Sequence, residues 1–130
     1  MKRIMLATVV VALTLCAASL NANAETALEV QSWCKPVVNA KLGANDTISY
    51  KPTHDTGFCW GAFAAIQELS KYRWDDRTLL LRFCPPPTSS RLQYIKVFSK
   101  YVDDHPEDGH QEFAGVARLA LASAFPCPAQ

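Results

Sequence analysis

A chain of 130 residues with 13 Lys and Arg against 12 Asp and Glu is close to electroneutral. It carries no basic stripe of the kind that phosphate backbones demand, which excludes nucleic acid as a partner. The length suits one domain with one core, and no repeat or low-complexity linker divides it.

The N-terminus reads as an export leader. Lys2 and Arg3 precede an apolar run from Ile4 to about Leu20, too short and alanine-rich for a membrane span, and Ala22-Asn23-Ala24 supplies the small residues a signal peptidase needs. Cleavage after Ala24 leaves residues 25–130, which is 106 of the 130, as one domain with no membrane segment. A lipoprotein anchored at Cys16 is disfavoured because Leu15, just before it, is not small. The leader holds two of the 13 basic and none of the 12 acidic residues, so the mature chain has 11 against 12 and a net charge of −1.

Beyond the leader, Ala27, Leu28, Val30, Trp33, Cys34, Val37 and Val38 recur at roughly helical spacing, with Pro36 expected to end or kink the segment. Asn39 to Gly57 contains Gly43, Asn45, Asp46, Pro52, Asp55 and Gly57 and reads as a long loop, with room for an extended piece at Thr47 to Tyr50. A core helix is expected from Cys59, with Phe63, Ile66 and Leu69 on one side and Glu68 and Lys71 on another. Gly61 near its start suggests close approach of a neighbouring helix, the alternative being a merely tolerated glycine. Arg73 to Cys84 reads as a buried strand-like connector or a helical turn.

After Phe83-Cys84-Pro85-Pro86-Pro87, which no helix continues through, Ser90 and Gln93 have the spacing of a capping box. Leu92, Ile95, Phe98 and Val102 then repeat at three- and four-residue spacing, widened by Tyr94, Val97 and Tyr101, with Arg91, Lys96 and Lys100 left for water. Asp103 to His110 breaks the pattern with proline, glycine and four acids, and Phe113, Val116, Ala117, Ala120, Leu121 and Ala124 resume it. The result is an antiparallel helical hairpin whose outer ends bring Cys84 beside Cys127. The fold class is all-α, a small bundle of about four helices stapled by disulfides.

With Cys16 removed, Cys34, Cys59, Cys84 and Cys127 remain. An even count in an exported chain of this size argues for disulfides, and spacing alone does not choose among the three connectivities. The pairing adopted is Cys34 with Cys59 and Cys84 with Cys127. Zinc would want closely paired ligands, which are missing here, and His105 and His110 with their acidic neighbours read as a solvated charged surface; no metal or cofactor is expected. Catalysis by a cysteine and a histidine needs a free thiolate, so no enzymatic activity is expected. Trp33 and Trp60, beside the first bridge, read as core, whereas Trp74 reads as a surface aromatic suited to a dimer interface.

These cysteines and their flanks resemble the Rap/Tai family of exported, resistance-associated immunity proteins of type VI secretion. The resemblance lies in Cys59-Trp60-Gly61 opening a helix, Phe83-Cys84-Pro85 before Ser90 and Gln93, Tyr101-Val102 before His105-Pro106-Glu107, and Ala120-Leu121 before Ala124-Phe125-Pro126-Cys127. It covers about Leu28 to Cys127 and is most specific in the C-terminal half. The resemblance implies a helical periplasmic protein, a homodimer, that binds and blocks a peptidoglycan-degrading amidase delivered by neighbouring cells. Occlusion calls for an exposed loop, and the candidate is the turn holding Asp103, Asp104, His105, Glu107, Asp108 and His110, tethered by two helices and rigidified by Pro106. The plainer reading is ordinary turn chemistry with acids that keep a helix end soluble. A second functional class is a general periplasmic stress or chaperone-like protein with no dedicated toxin.

Overall fold

The computed structural model describes residues 24–43 and 47–128. The expected leader, apart from Ala24, lies outside them. The described residues form four α-helices: α1 (Ala27–Val38), α2 (His54–Leu69), α3 (Arg91–Asp104) and α4 (Phe113–Ala124). A small antiparallel pair, β1 (Lys41–Leu42) with β2 (Ile48–Ser49), sits between α1 and α2, and a 3-10 turn (Pro106–Asp108) joins α3 to α4. No described helix is long and apolar enough to cross a membrane.

Helix α1 starts on a full capping box. Thr26 Oγ1 accepts from the Glu29 amide at 3.3 Å, and the Glu29 carboxylate accepts from the Thr26 amide at 2.9 Å. Pro36 does not stop the helix, which runs on to Val38. So near the end, a missing amide costs one intrahelical bond only, and its ring sits on the exposed side. Ala27, Val30, Cys34 and Val37 are buried as their spacing predicts, while Leu28 stays half exposed.

Helix α2 begins at His54, five residues before the expected start at Cys59. Thr53 and Thr56 form a second capping box: Thr53 Oγ1 accepts from the Thr56 amide at 3.2 Å, and Thr56 Oγ1 accepts from the Thr53 amide at 2.8 Å. Those two bonds let the helix absorb Gly57. Gly61 has open space where a Cβ would stand, so it is the tolerated glycine and not a close-approach site. The expected extended piece appears as Ile48–Ser49, paired with Lys41–Leu42.

Between α2 and α3 the chain forms neither a buried strand nor a helical turn. It makes a tight hairpin in which Trp74 N donates to Thr78 O at 2.8 Å and Leu80 N donates to Tyr72 O at 2.9 Å. The Asp75 carboxylate accepts from the amides of Arg77 and Thr78 at 2.8 and 2.7 Å, the aspartate turn chemistry that holds such loops. Phe83 is fully buried, and Leu80 points outward.

Helices α3 and α4 form the expected hairpin. Ser90 Oγ accepts from the Gln93 amide at 3.2 Å. The return bond of a capping box, accepted by the Gln93 side chain, is not among the hydrogen bonds of the described residues. Leu92, Tyr94, Ile95, Phe98 and Val102 are buried, with Lys96 and Lys100 in water. Arg91, expected in water, instead lays its guanidinium over the Trp60 ring, 4.6 Å from its centroid. In α4, Val116, Ala117, Ala120 and Leu121 are buried and Ala124 is exposed.

The helices meet on an aromatic centre. Phe63 of α2, Phe98 of α3 and Phe113 of α4 lie 5.3 to 5.6 Å apart, centroid to centroid, in tilted and edge-to-face arrangements. Trp33 joins this centre through Phe58 at 5.1 Å. Both expected disulfides are present. Cys34 and Cys59 tie α1 to α2 with Cα atoms 5.3 Å apart, and Cys84 and Cys127 close the outer end of the hairpin at 4.8 Å. A backbone bond from Cys84 N to Phe125 O, 2.8 Å, seals the same end.

Candidate partner-binding turn

The turn from Asp103 to His110 begins where the apolar repeat of α3 runs out. His105 ends the helix at φ −127° and ψ 66°, neither helical nor extended, its amide still donating to Tyr101 O. Pro106 then opens the 3-10 turn, where its fixed φ suits the first position and its missing amide would have been unpartnered anyway. Gly109 is buried behind it. A Cβ there would stand 3.2 Å from Pro106 O and 3.6 Å from the Leu28 Cβ, so a glycine lets the turn close against α1.

The turn is joined to the start of α1 by main-chain bonds. Leu28 N donates to Gly109 O at 3.0 Å, Ala27 N donates to Gln111 O at 2.9 Å, and Phe113 N donates to Glu25 O at 2.9 Å. Two amides that open α1 thereby find carbonyl partners on the turn, and an amide opening α4 finds one just before α1. Each helix start is satisfied by the other's lead-in.

The six candidate side chains divide into two groups. Asp103, itself exposed, and the half-buried Asp108 make the bonds that hold the turn. The Asp103 carboxylate accepts from Gln31 Nε2 at 2.7 Å, and Asp108 accepts from Tyr101 Oη at 3.0 Å and from Gln111 Nε2 at 2.6 Å. Burial, helped by that bond to Asp108, pushes the Tyr101 phenol above its ordinary pKa, so it remains a donor across the neutral range.

Asp104, His105, Glu107 and His110 are available at the surface. Asp104 pairs with Lys100 one turn back at 2.7 Å, with both side chains well exposed. His105 Nδ1 lies 3.3 Å from Glu107 Oε1, and its ring stacks on Tyr101 with centroids 4.3 Å apart. A hydrogen bond from its own backbone amide, then the His105 side chain, holds the Glu107 carboxyl below its usual range. His110 is exposed. The result is a solvent-facing rim of charge on a fixed backbone.

Sequence reading missed the residues that hold this turn. Gln31 is the chief one: buried at 4 % exposure, it donates both to Asp103 and, at 2.9 Å, to Ser99 O. A polar residue inside the apolar stripe of α1 was the available signal, since a buried amide must find partners. All four cysteines of the described residues are in disulfides, and no group of three or more potential metal ligands comes together among those residues.

The family profile of the Rap1a immunity proteins matches residues 13–127. The chain belongs to that family. The match spans the four helices, the turn and the four bridged cysteines of this chain. No curated protein and no solved structure matches this Rap1a-family chain.

Proposed function

We propose that this Rap1a-family protein is exported, loses its leader after Ala24, and protects the periplasm by binding and occluding a peptidoglycan amidase delivered by type VI secretion. Family membership supports the immunity role, and two disulfides and a leader-like N-terminus support an oxidising compartment. It acts without catalysis, as a homodimer in solution, by filling the toxin's cleft.

One observation carries the choice of surface: Asp103 and Asp108 are spent on fixing the turn while Asp104, His105, Glu107 and His110 face solvent. A loop already held in one shape loses little conformational entropy when it docks, so more of its contact energy appears as affinity. Its carboxylates can meet donors around a cysteine-histidine catalytic centre, and complementary charge speeds and orients the encounter.

The test is periplasmic co-expression with the type VI amidase from which the wild type protects cells. Replacing Asp104, His105 and Glu107 together by alanine should weaken inhibition at least tenfold with an unchanged melting temperature. Full protection by that variant would place the contact elsewhere. A wild-type protein that holds many unfolded clients and forms no stoichiometric complex with an amidase would favour the general stress role instead.

A further inference from the structure

At the far end of the hairpin from the charged turn, the Tyr72 to Arg82 segment and the Cys84–Cys127 bridge enclose a cleft of ≈ 670 Å³. Helix α3, 14 residues long, separates the two ends by about 20 Å. Arg73, Arg77 and Arg82 line the cleft together with Thr78 and Leu79, and no carboxylate is among its lining residues. The loop also carries two exposed acids, of which Asp75 is turned back onto the amides of Arg77 and Thr78 and Asp76 stands beside Arg77. Neither Arg73 nor Arg82 makes a salt bridge within 4.0 Å among the described residues, although the charge of Arg73 helps, after the hydrogen bonds of Arg77 and Thr78, to lower the Asp75 carboxyl.

Two further observations indicate that this cleft is built for contact. Arg82 has a φ of 55°, a left-handed conformation that a glycine or asparagine would adopt with less strain, yet a long cation occupies it. Beside it a smaller recess is lined by Trp74, which is 80 % exposed, with Leu80 and Asp75, and Tyr72 on the same loop is 63 % exposed. Trp, Tyr and Arg are the residues over-represented at the energetic centres of protein interfaces, and guanidinium forks match carboxylates two bonds at a time. The loop is also held by the backbone and Asp75 bonds described above.

We infer that this arginine cleft is a second docking site, which takes a carboxylate-bearing segment of the effector while Trp74 covers the apolar residues beside it. The inference rests on the inhibitor reading above and adds a contact independent of the acidic turn.

Two measurements test it. First, a fluorescein-labelled tetraglutamate peptide should bind the wild-type protein with an affinity that falls as salt rises, and a tetraglutamine peptide should bind at least tenfold more weakly. Arg73→Glu with Arg82→Glu should abolish tetraglutamate binding, and Lys35→Glu with Lys51→Glu should not. Arg82→Gly separates a strained loop from a binding loop, because it should leave the melting temperature unlowered and still weaken the peptide. Equal binding of both peptides, or unchanged binding to the arginine variants, overturns the inference.

Second, the doubly charge-reversed variant should lose at least tenfold in affinity for the amidase from which the wild type protects. Wild-type protection that survives the charge reversal intact sinks the cleft alone and leaves the inhibitor reading standing. A wild type that protects against no amidase ends the inhibitor reading and removes the effector as occupant. Charge reversal that only dissociates a homodimer in sedimentation would make the cleft a self-contact, which also overturns the inference.

Discussion

Gln31 sits where the stripe of α1 calls for an apolar side chain, and its carboxamide reaches the Ser99 carbonyl and the Asp103 carboxylate on α3. Hydrogen bonds to charged groups are worth about 1.5 to 3 kcal/mol, and a buried acceptor stripped of its partner keeps its desolvation cost. Gln31→Ala should therefore destabilise the fold by about 2 kcal/mol, roughly 8 °C in melting temperature for a domain of this size. Calorimetry checks this, and an unshifted transition would mean that water replaces the amide. A second residue sets a pH limit. Hydrogen bonds from the Thr26 backbone, then its side chain, lower the Glu29 carboxyl below its usual value. A carboxyl lowered by folding stabilises the native state above its unfolded pKa of about 4.3, and that contribution disappears as pH falls through the folded value. Melting temperature should fall on acidification below about pH 4.3, and Glu29→Gln, which keeps the geometry of the box without the charge, should show a smaller fall. An identical acid profile for the variant would assign the loss to other carboxylates.

At the scale of elements, the α3–α4 hairpin was legible because its signals are local and agree: three prolines, a serine cap, an apolar repeat and a polar break. Its sulfur bridge followed from that geometry. Closing a loop of 43 residues removes about 4 kcal/mol of unfolded-chain entropy in the loop-closure account. Cys84→Ser with Cys127→Ser should lower stability by up to that much, a large part of a total near 5 to 10 kcal/mol. Denaturant titration reads it; an unchanged midpoint would show that Cys84 N to Phe125 O and the aromatic packing hold the end unaided. The start of α2 was less legible. Gly57 looks like a loop residue, and the structure overrides it with a threonine in the place where a capping box usually carries glutamate or glutamine, while Pro52 stays in the loop before the cap. Arg91 was misplaced for a different reason: periodicity assigns charge to water and contains nothing of a tryptophan from another helix. The same holds for the turn. Its six polar residues were visible as a cluster, but which acids are structural depends on Gln31, Tyr101 and Gln111, and no local pattern links Gln31 to Asp103.

Across the whole molecule, charge is sorted along the hairpin. The acidic turn occupies one end and three arginines line a cleft at the other, although the chain is almost neutral as a whole. Net charge therefore says little about how this protein meets a partner, because charge is spread unevenly over its surface. The arrangement of the first helix has a separate consequence. Its leading amides lean on carbonyls from the turn, and Glu25 in return accepts from Phe113. A polypeptide threaded through a translocation pore with its front end first would have α1 on the far side long before those partners arrive. In such a passage that leading edge would have only water to bond until Gly109 and Gln111 had crossed, and the domain would close only once its back had caught up with its front.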